Sequence, residues 1–180
     1  MTRNAWTCSE GDSLAEAARI MWENDCGCVP VIDLESRLVG MITDRDVCMA
    51  AYTQGGGLSS ITVGSAMAKQ VYSCGPKDTV QHAQKKMVEH RIRRIPVVDE
   101  AGRLLGVLSV SDLTREAVTP DGKLHTTLAS GVLRTFASIC APRTREDVLL
   151  SSQRPVRPSR KSKPATNSSS KSARRSRSRR

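Results

Sequence analysis

A mixed α/β fold, made of two copies of one βαββα unit, is predicted by three observations. Residues 8–53 align onto 74–119 at a constant offset of 66, without a gap. Within each copy, apolar spacing passes from helical to two short β-branched runs and back to helical. The heptad GMITDRD at 40–46 returns as GVLSVSD at 106–112, with glycine, hydroxyl and aspartate in register. Two copies are too few for a solenoid, so a pseudo-symmetric pair forming one domain is expected.

Each element has a local cause. Asp12-Ser13 and Asp78-Thr79 supply short side-chain oxygens that can accept from the free amides opening a helix. Leu14, Ala17, Ala18 and Met21 then follow at helical spacing, as do Val80, Ala83 and Met87. The runs CVPVID and RIPVVD read as strands, and LESR and EAGR as turns, with Gly102 supplying flexible backbone in the second. The runs LVGMIT and LLGVLS follow as buried strands, and a second helix closes each unit. A short leading strand is expected at AWTCS and QVYSC. The unit boundaries fall at 5–60 and 61–120, joined through Gly-rich sequence, with a further helix within 121–142 and a tail over 143–180. That helix carries Leu124, Leu128, Val132, Leu133, Phe136 and Ile139 as an amphipathic stripe. The stripe either folds back on the chain or meets a partner.

The charge is unevenly placed. Of 28 Lys/Arg, 11 lie from Arg154 onward with no acidic residue, leaving 17 basic against 18 acidic residues ahead of them. The folded part is therefore near neutral, and no basic groove follows for it. The Ser/Arg/Lys/Pro tail has too few large apolar residues to offset its ordering entropy and is expected to be disordered. Any nucleic-acid contact is confined to 154–180, without base reading, because aromatics are lacking; a solubilising tail is the alternative. No apolar run is long enough to span a membrane, and no secretory h-region opens the chain, so a cytoplasmic protein is expected. Six cysteines then read as reduced thiols. Cys26 and Cys28 lack a second pair at zinc spacing, so no metal is expected. With no P-loop, no Gly-rich dinucleotide turn and no Ser/His/Asp set, an enzyme is not expected.

The paired pattern of an apolar-Pro-Val-apolar-Asp run, a Gly-flanked strand and a [ST]-x-x-D turn resembles tandem cystathionine-β-synthase-type (CBS) domains, or Bateman modules. The stretch IRRIPVVDEAGRLLGVLSVSDL is close to a consensus second repeat, and GMITDRDV to a consensus first. The resemblance covers residues 8–119 and implies pseudo-two-fold symmetry, dimerisation through helices, and regulation of another protein. It also implies clefts for adenosine-containing ligands: AMP, ADP or ATP, with S-adenosylmethionine or NAD as alternatives. On this resemblance Asp46 and Asp112 read ribose, with Thr43 and Ser109 as hydroxyl partners near the phosphate. Cys28, Val29, Pro30 and Val31, with Ile95, Pro96 and Val97, line adenine slots. The chemistry agrees, since a carboxylate accepts from both ribose hydroxyls and free helix amides favour anions. Plain helix capping is the competing explanation for both aspartates. Arg45, Arg91, Arg93 and Arg94 are candidate phosphate contacts or a solvated cationic face.

Overall fold

The computed structural model describes residues 1–142. Its elements are β1 (Thr2–Arg3), α1 (Leu14–Glu23), β2 (Cys28–Ile32), β3 (Leu38–Thr43), α2 (Asp44–Gln54), α3 (Val63–Ala66) and α4 (Val80–His90), followed by β4 (Arg94–Val98), β5 (Leu104–Ser109), α5 (Val110–Glu116) and α6 (Thr126–Cys140). The antiparallel hairpins β2–β3 and β4–β5 are the two expected strand pairs, and the mixed α/β class stands. The expected leading strands shrink to single parallel bridges, Cys8 to Val31 and Cys74 to Val97. The tail over 143–180, expected to be disordered and to carry any polyanion contact, lies outside the described residues.

The repeated residues explain the repeated geometry. The caps are Ser13 and Thr79, whose hydroxyls accept from the Glu16 and His82 amides at 3.2 Å each. The preceding aspartates instead tie the approach to the helix: Asp12 accepts from the Ser9 amide at 2.7 Å and Asp78 from the Gly75 amide at 2.9 Å. Asp33 and Asp99 pin the two hairpin tips. Asp33 Oδ1 accepts from the Glu35 and Arg37 amides at 2.9 and 2.8 Å, and Oδ2 from Arg37 Nε at 2.8 Å. Asp99 repeats the set with Ala101 and Arg103. The Arg37 guanidinium beside Asp33 holds its carboxyl below the usual range. The tips themselves are left-handed, at Ser36 (φ 61°) and Gly102 (φ 81°).

Reciprocal backbone bonds join the copies. Leu38 N donates to Gly102 O at 3.0 Å and Leu104 N to Ser36 O at 3.1 Å. These are the same pair of positions exchanged between repeats, which is what a pseudo-two-fold relation requires.

Pro30 and Pro96 sit inside strands yet break no ladder. Their carbonyls turn outward, accepting from Cys8 N at 3.1 Å and Cys74 N at 3.0 Å. A strand residue's N–H and C=O share one edge, so each missing N–H faces the single-bridge side. Both rings are fully buried.

The repeat extends further toward the N-terminus than residue 8. β1 pairs with β5, Thr2 opposite Val107, and the same offset gives the bridge between Ala68 and Met41. Both crossings need glycine. A Cβ on Gly106 would meet Thr2 O at 2.5 Å, and one on Gly40 would strike the Met67 sulfur. The repeated glycine is thus a site where a neighbouring segment crosses the strand closely.

The two cores are closed differently. In the first, Leu14, Val29, Val31 and Ile42 are fully buried, and the segment after α2 seals them with Ile61, Val63 and Met67. That segment is anchored by Leu14 N donating to Ile61 O at 2.9 Å and Val63 N to Asp12 O at 2.8 Å. The Gly-rich stretch read as a linker therefore completes the first core. In the second, Met87 and Ile95 are fully buried with Cys74, Ala83, Val110 and Leu113 around them. Here α6 folds back on α4 and α5, burying Val132 while leaving Leu133 70% exposed.

Candidate functional site

Each strand-to-helix turn carries a reciprocal capping box, because a hydroxyl at the N-cap and an aspartate three residues on can satisfy each other's amides. Asp46 Oδ2 accepts from Thr43 N at 3.0 Å and Thr43 Oγ1 at 2.6 Å, while Thr43 Oγ1 accepts from Asp46 N at 3.3 Å. Asp112 Oδ2 accepts from Ser109 N at 2.8 Å and Ser109 Oγ at 2.7 Å. The capping explanation is thus observed for both aspartates, but it occupies only one oxygen of each.

The second oxygens differ. Among the described residues, Asp46 Oδ1 has no hydrogen-bond partner. Asp112 Oδ1 is held by Arg115 Nη2 at 2.5 Å, with the Met1 amino group at 3.9 Å. Partial burial pushes the Asp112 carboxyl up, but the Ser109 hydroxyl and amide and the two nearby cations outweigh it and hold it below the usual range. At the offset of 66 the counterpart of Arg115 is Met49, a neutral side chain. The Arg115 and Met1 cations separate the committed Asp112 carboxylate from the available Asp46 one.

The first turn opens on a cavity of about 240 Å³ between the repeats. Thr43, Asp44, Arg45 and Asp46 form one side. Ala68, Gln70, Val71 and Tyr72 cross it from the start of the second repeat, and Ile92, Arg93, Arg94 and Pro96 close it with Cys28 and Met41. Three guanidiniums face two carboxylates, so the lining carries a net positive charge suited to an anion. Tyr72 stacks on His90, ring centroids 3.4 Å apart and 7° from parallel, which fixes an aromatic ring at the wall.

The expected site residues divide clearly. Thr43, Arg45, Asp46, Cys28, Pro96, Arg93 and Arg94 are brought together on the first cavity. Val29, Val31, Ile95 and Val97 bury their side chains, Val29 and Val31 in the first core and Ile95 in the second, and Pro30 is equally buried. Arg91 is the left-handed C-cap of α4 (φ 52°) and does not line the cavity. Ser109 borders a different cavity, which Asp112 does not reach. Sequence reasoning missed Asp44, Gln70 and Tyr72. The repeat held the signal for Tyr72, since its counterpart at the same offset is the aromatic Trp6.

Cys8, Cys28 and Cys74 are buried packing residues. Burial pushes the Cys28 thiol up to about 11 and the Cys8 thiol up to about 12, so neither is a thiolate at neutral pH. Among the described residues no cluster of three or more His, Cys, Asp or Glu is placed to hold a metal ion. No described helix is long and apolar enough to cross a membrane.

Two hairpins related by pseudo-two-fold symmetry, each ending in a capped [ST]-x-x-D turn, define a paired-repeat module. The CBS domain family matches residues 1–52 and 63–119, and the chain belongs to it. Among curated relatives, the CBS domain-containing protein YhcV of Bacillus subtilis (strain 168) is 33% identical over 113 residues, 63% of this chain and 79% of that protein. The CBS domain pair of protein MJ0100, solved with 5-methylthioadenosine and S-adenosyl-L-methionine, matches with a TM-score of 0.59 at 27% identity, covering 64% of this chain and 90% of that one. CBSX2 in complex with AMP matches with a TM-score of 0.56 at 27% identity, covering 63% and 87%. The match to residues 1–52 agrees with the repeat reaching back to β1.

Proposed function

We propose that the chain is a ligand-sensing module that binds an adenine nucleotide of the AMP, ADP or ATP class in the first cavity and thereby alters its contacts with a regulated protein. One observation carries this reading: Asp46 is fixed by its capping bonds, yet keeps one carboxylate oxygen unpaired on a cavity lined by three guanidiniums. That oxygen, with two lone pairs, accepts from both ribose hydroxyls. Tyr72, with Val71 and Ile92 beside it, offers the flat apolar surface an adenine ring needs, while the expected Cys28 and Pro96 are too buried to do so. Thr43, whose hydroxyl already donates to Asp46, holds that carboxylate in place, and Arg45, Arg93 and Arg94 meet the phosphate near the N-terminus of α2. S-adenosylmethionine, whose sulfonium is cationic, and NAD fit this lining less well than a nucleotide with a terminal phosphate.

The adenosine ligands held by the similar MJ0100 and CBSX2 structures support the ligand class. Asp112 is assigned the lesser role, because its second oxygen is already in an ion pair with Arg115. Homodimerisation belongs to the same proposal. Trp22 on α1 and Tyr52 on α2, 88% and 84% exposed, are the apolar surface that favours it.

The test is a thermal-shift series with AMP, ADP, ATP, S-adenosylmethionine and NADH. A bound ligand at 100 times its dissociation constant adds about 2.7 kcal/mol of stability. The adenine nucleotides are expected to raise Tm most. If none of the five raises it, the sensor reading fails.

A further inference from the structure

The second repeat has an opening that the first lacks. At the offset of 66, the sealing segment 58–67 corresponds to 124–133, the turn into α6 and its first half. Ile61, Val63 and Met67 are buried in the first copy, whereas Leu124 and Leu133 are 64% and 70% exposed in the second. Between α5 and α6 the difference leaves a cavity of about 570 Å³. Its walls are apolar, formed mainly by Val118, Leu124, Val132, Leu133 and Phe136. Arg93 and Arg94 also line it, with the hydroxyls of Ser109, Ser111 and Thr114, and no acidic residue is among its lining. Among the described residues neither guanidinium is within ion-pair distance of a carboxylate.

The volume lies within the range of small-molecule sites, which are mostly apolar with a few convergent polar groups. Two cations without a lining acid select against a neutral hydrocarbon and against a cationic ligand. The apolar walls select against a small hydrated anion, which would gain nothing from them. Both constraints are met by a chain of methylenes ending in a carboxylate. We propose that the α5–α6 cavity is a second ligand site, adjoining the nucleotide cavity at the shared Arg93 and Arg94, that takes a free fatty carboxylate with its head group at those two guanidiniums.

The test is calorimetric titration of the full chain, without nucleotide, using dodecanoate below its micellar concentration, with dodecanol and acetate as controls. One dodecanoate is expected per chain, with both controls weaker by about tenfold or more, the loss of one charge-assisted contact or of the apolar burial. Leu133→Glu places a carboxylate on an exposed wall position and is expected to weaken dodecanoate by about tenfold or more, with the thermal melt unchanged. Arg93→Gln, also at an exposed position, is expected to weaken dodecanoate while leaving dodecanol as it was. The proposal is overturned by absence of dodecanoate binding, by equal affinity for dodecanol, or by binding that neither substitution alters. It is equally overturned if dodecanoate fails to bind and Leu133→Glu halves the solution mass, which would make the cavity an interface between copies of the chain.

Discussion

Asp46→Ala weakens adenine-nucleotide binding by the full chain about 100-fold or more, whereas Asp112→Ala leaves it within about threefold of wild type, a difference of about 0.7 kcal/mol or less. The two aspartates occupy the same repeat position and make the same capping bonds. Each substitution therefore costs a cap, about 1 kcal/mol of stability. They differ in what the second oxygen does. Asp46 Oδ1 is unpaired on the first cavity, while Asp112 Oδ1 is bound by Arg115 at 2.5 Å. Two ribose hydroxyls donating to a carboxylate contribute about 1.5–3 kcal/mol each, so losing both weakens binding by about 100-fold or more. Titration calorimetry of both variants with AMP measures this directly. Equal losses in the two variants would contradict the assignment, since both lose the same capping bonds and only Asp46 has an oxygen free for the ligand.

Leu14→Ala lowers Tm by about 6–20 °C, while Val80→Ala, at the equivalent position of the second repeat, lowers it by less than about 4 °C. Deleting a fully buried leucine costs about 2–5 kcal/mol, and one kcal/mol corresponds to about 3–4 °C for a folded unit of this size. Leu14 is fully buried beneath the segment that Ile61 and Val63 anchor, whereas Val80 is 38% exposed. A partly exposed valine has already lost part of its burial term and leaves no sealed cavity behind. Thermal denaturation followed by circular dichroism reads both. Similar losses at the two positions would show that the second core is closed as tightly as the first, and would also weaken the case for an accessible α5–α6 cavity.

The four hairpin strands β2 to β5 were legible because each is a short apolar run bounded by a turn, and the offset of 66 matches β2 to β4 and β3 to β5. The hairpin tips were legible as the turns LESR and EAGR, whereas the Asp33–Arg37 and Asp99–Arg103 pairs that hold them show only in the structure. β1 was not legible, since Thr2–Arg3 has neither length nor apolar alternation. Its pairing shows only when Ala68 is seen crossing Met41 at the matching place. The Gly-rich segment after α2 hid its role because Ile61, Val63 and Met67 follow no single period. They are spaced by a turn and a four-residue helix rather than by one repeating element. At the site, the motif pointed to Thr43 and Asp46, but the wall opposite comes from residues 68–72 and 92–96, which only the folding of one repeat against the other brings near. Side-chain direction was the other missing fact: Val29 and Val31 follow Cys28 in the same strand yet pack into the core, while Cys28 borders the cavity.

The most direct measurement is photoaffinity labelling of the full chain with an azido-adenine nucleotide, competed with AMP, followed by peptide mapping. AMP-protected label is expected on the segments that wall the first cavity, residues 68–72 or 92–96, with loss of that label in Asp46→Ala. Label confined to peptides around Asp112, or label that AMP does not displace, would contradict this expectation.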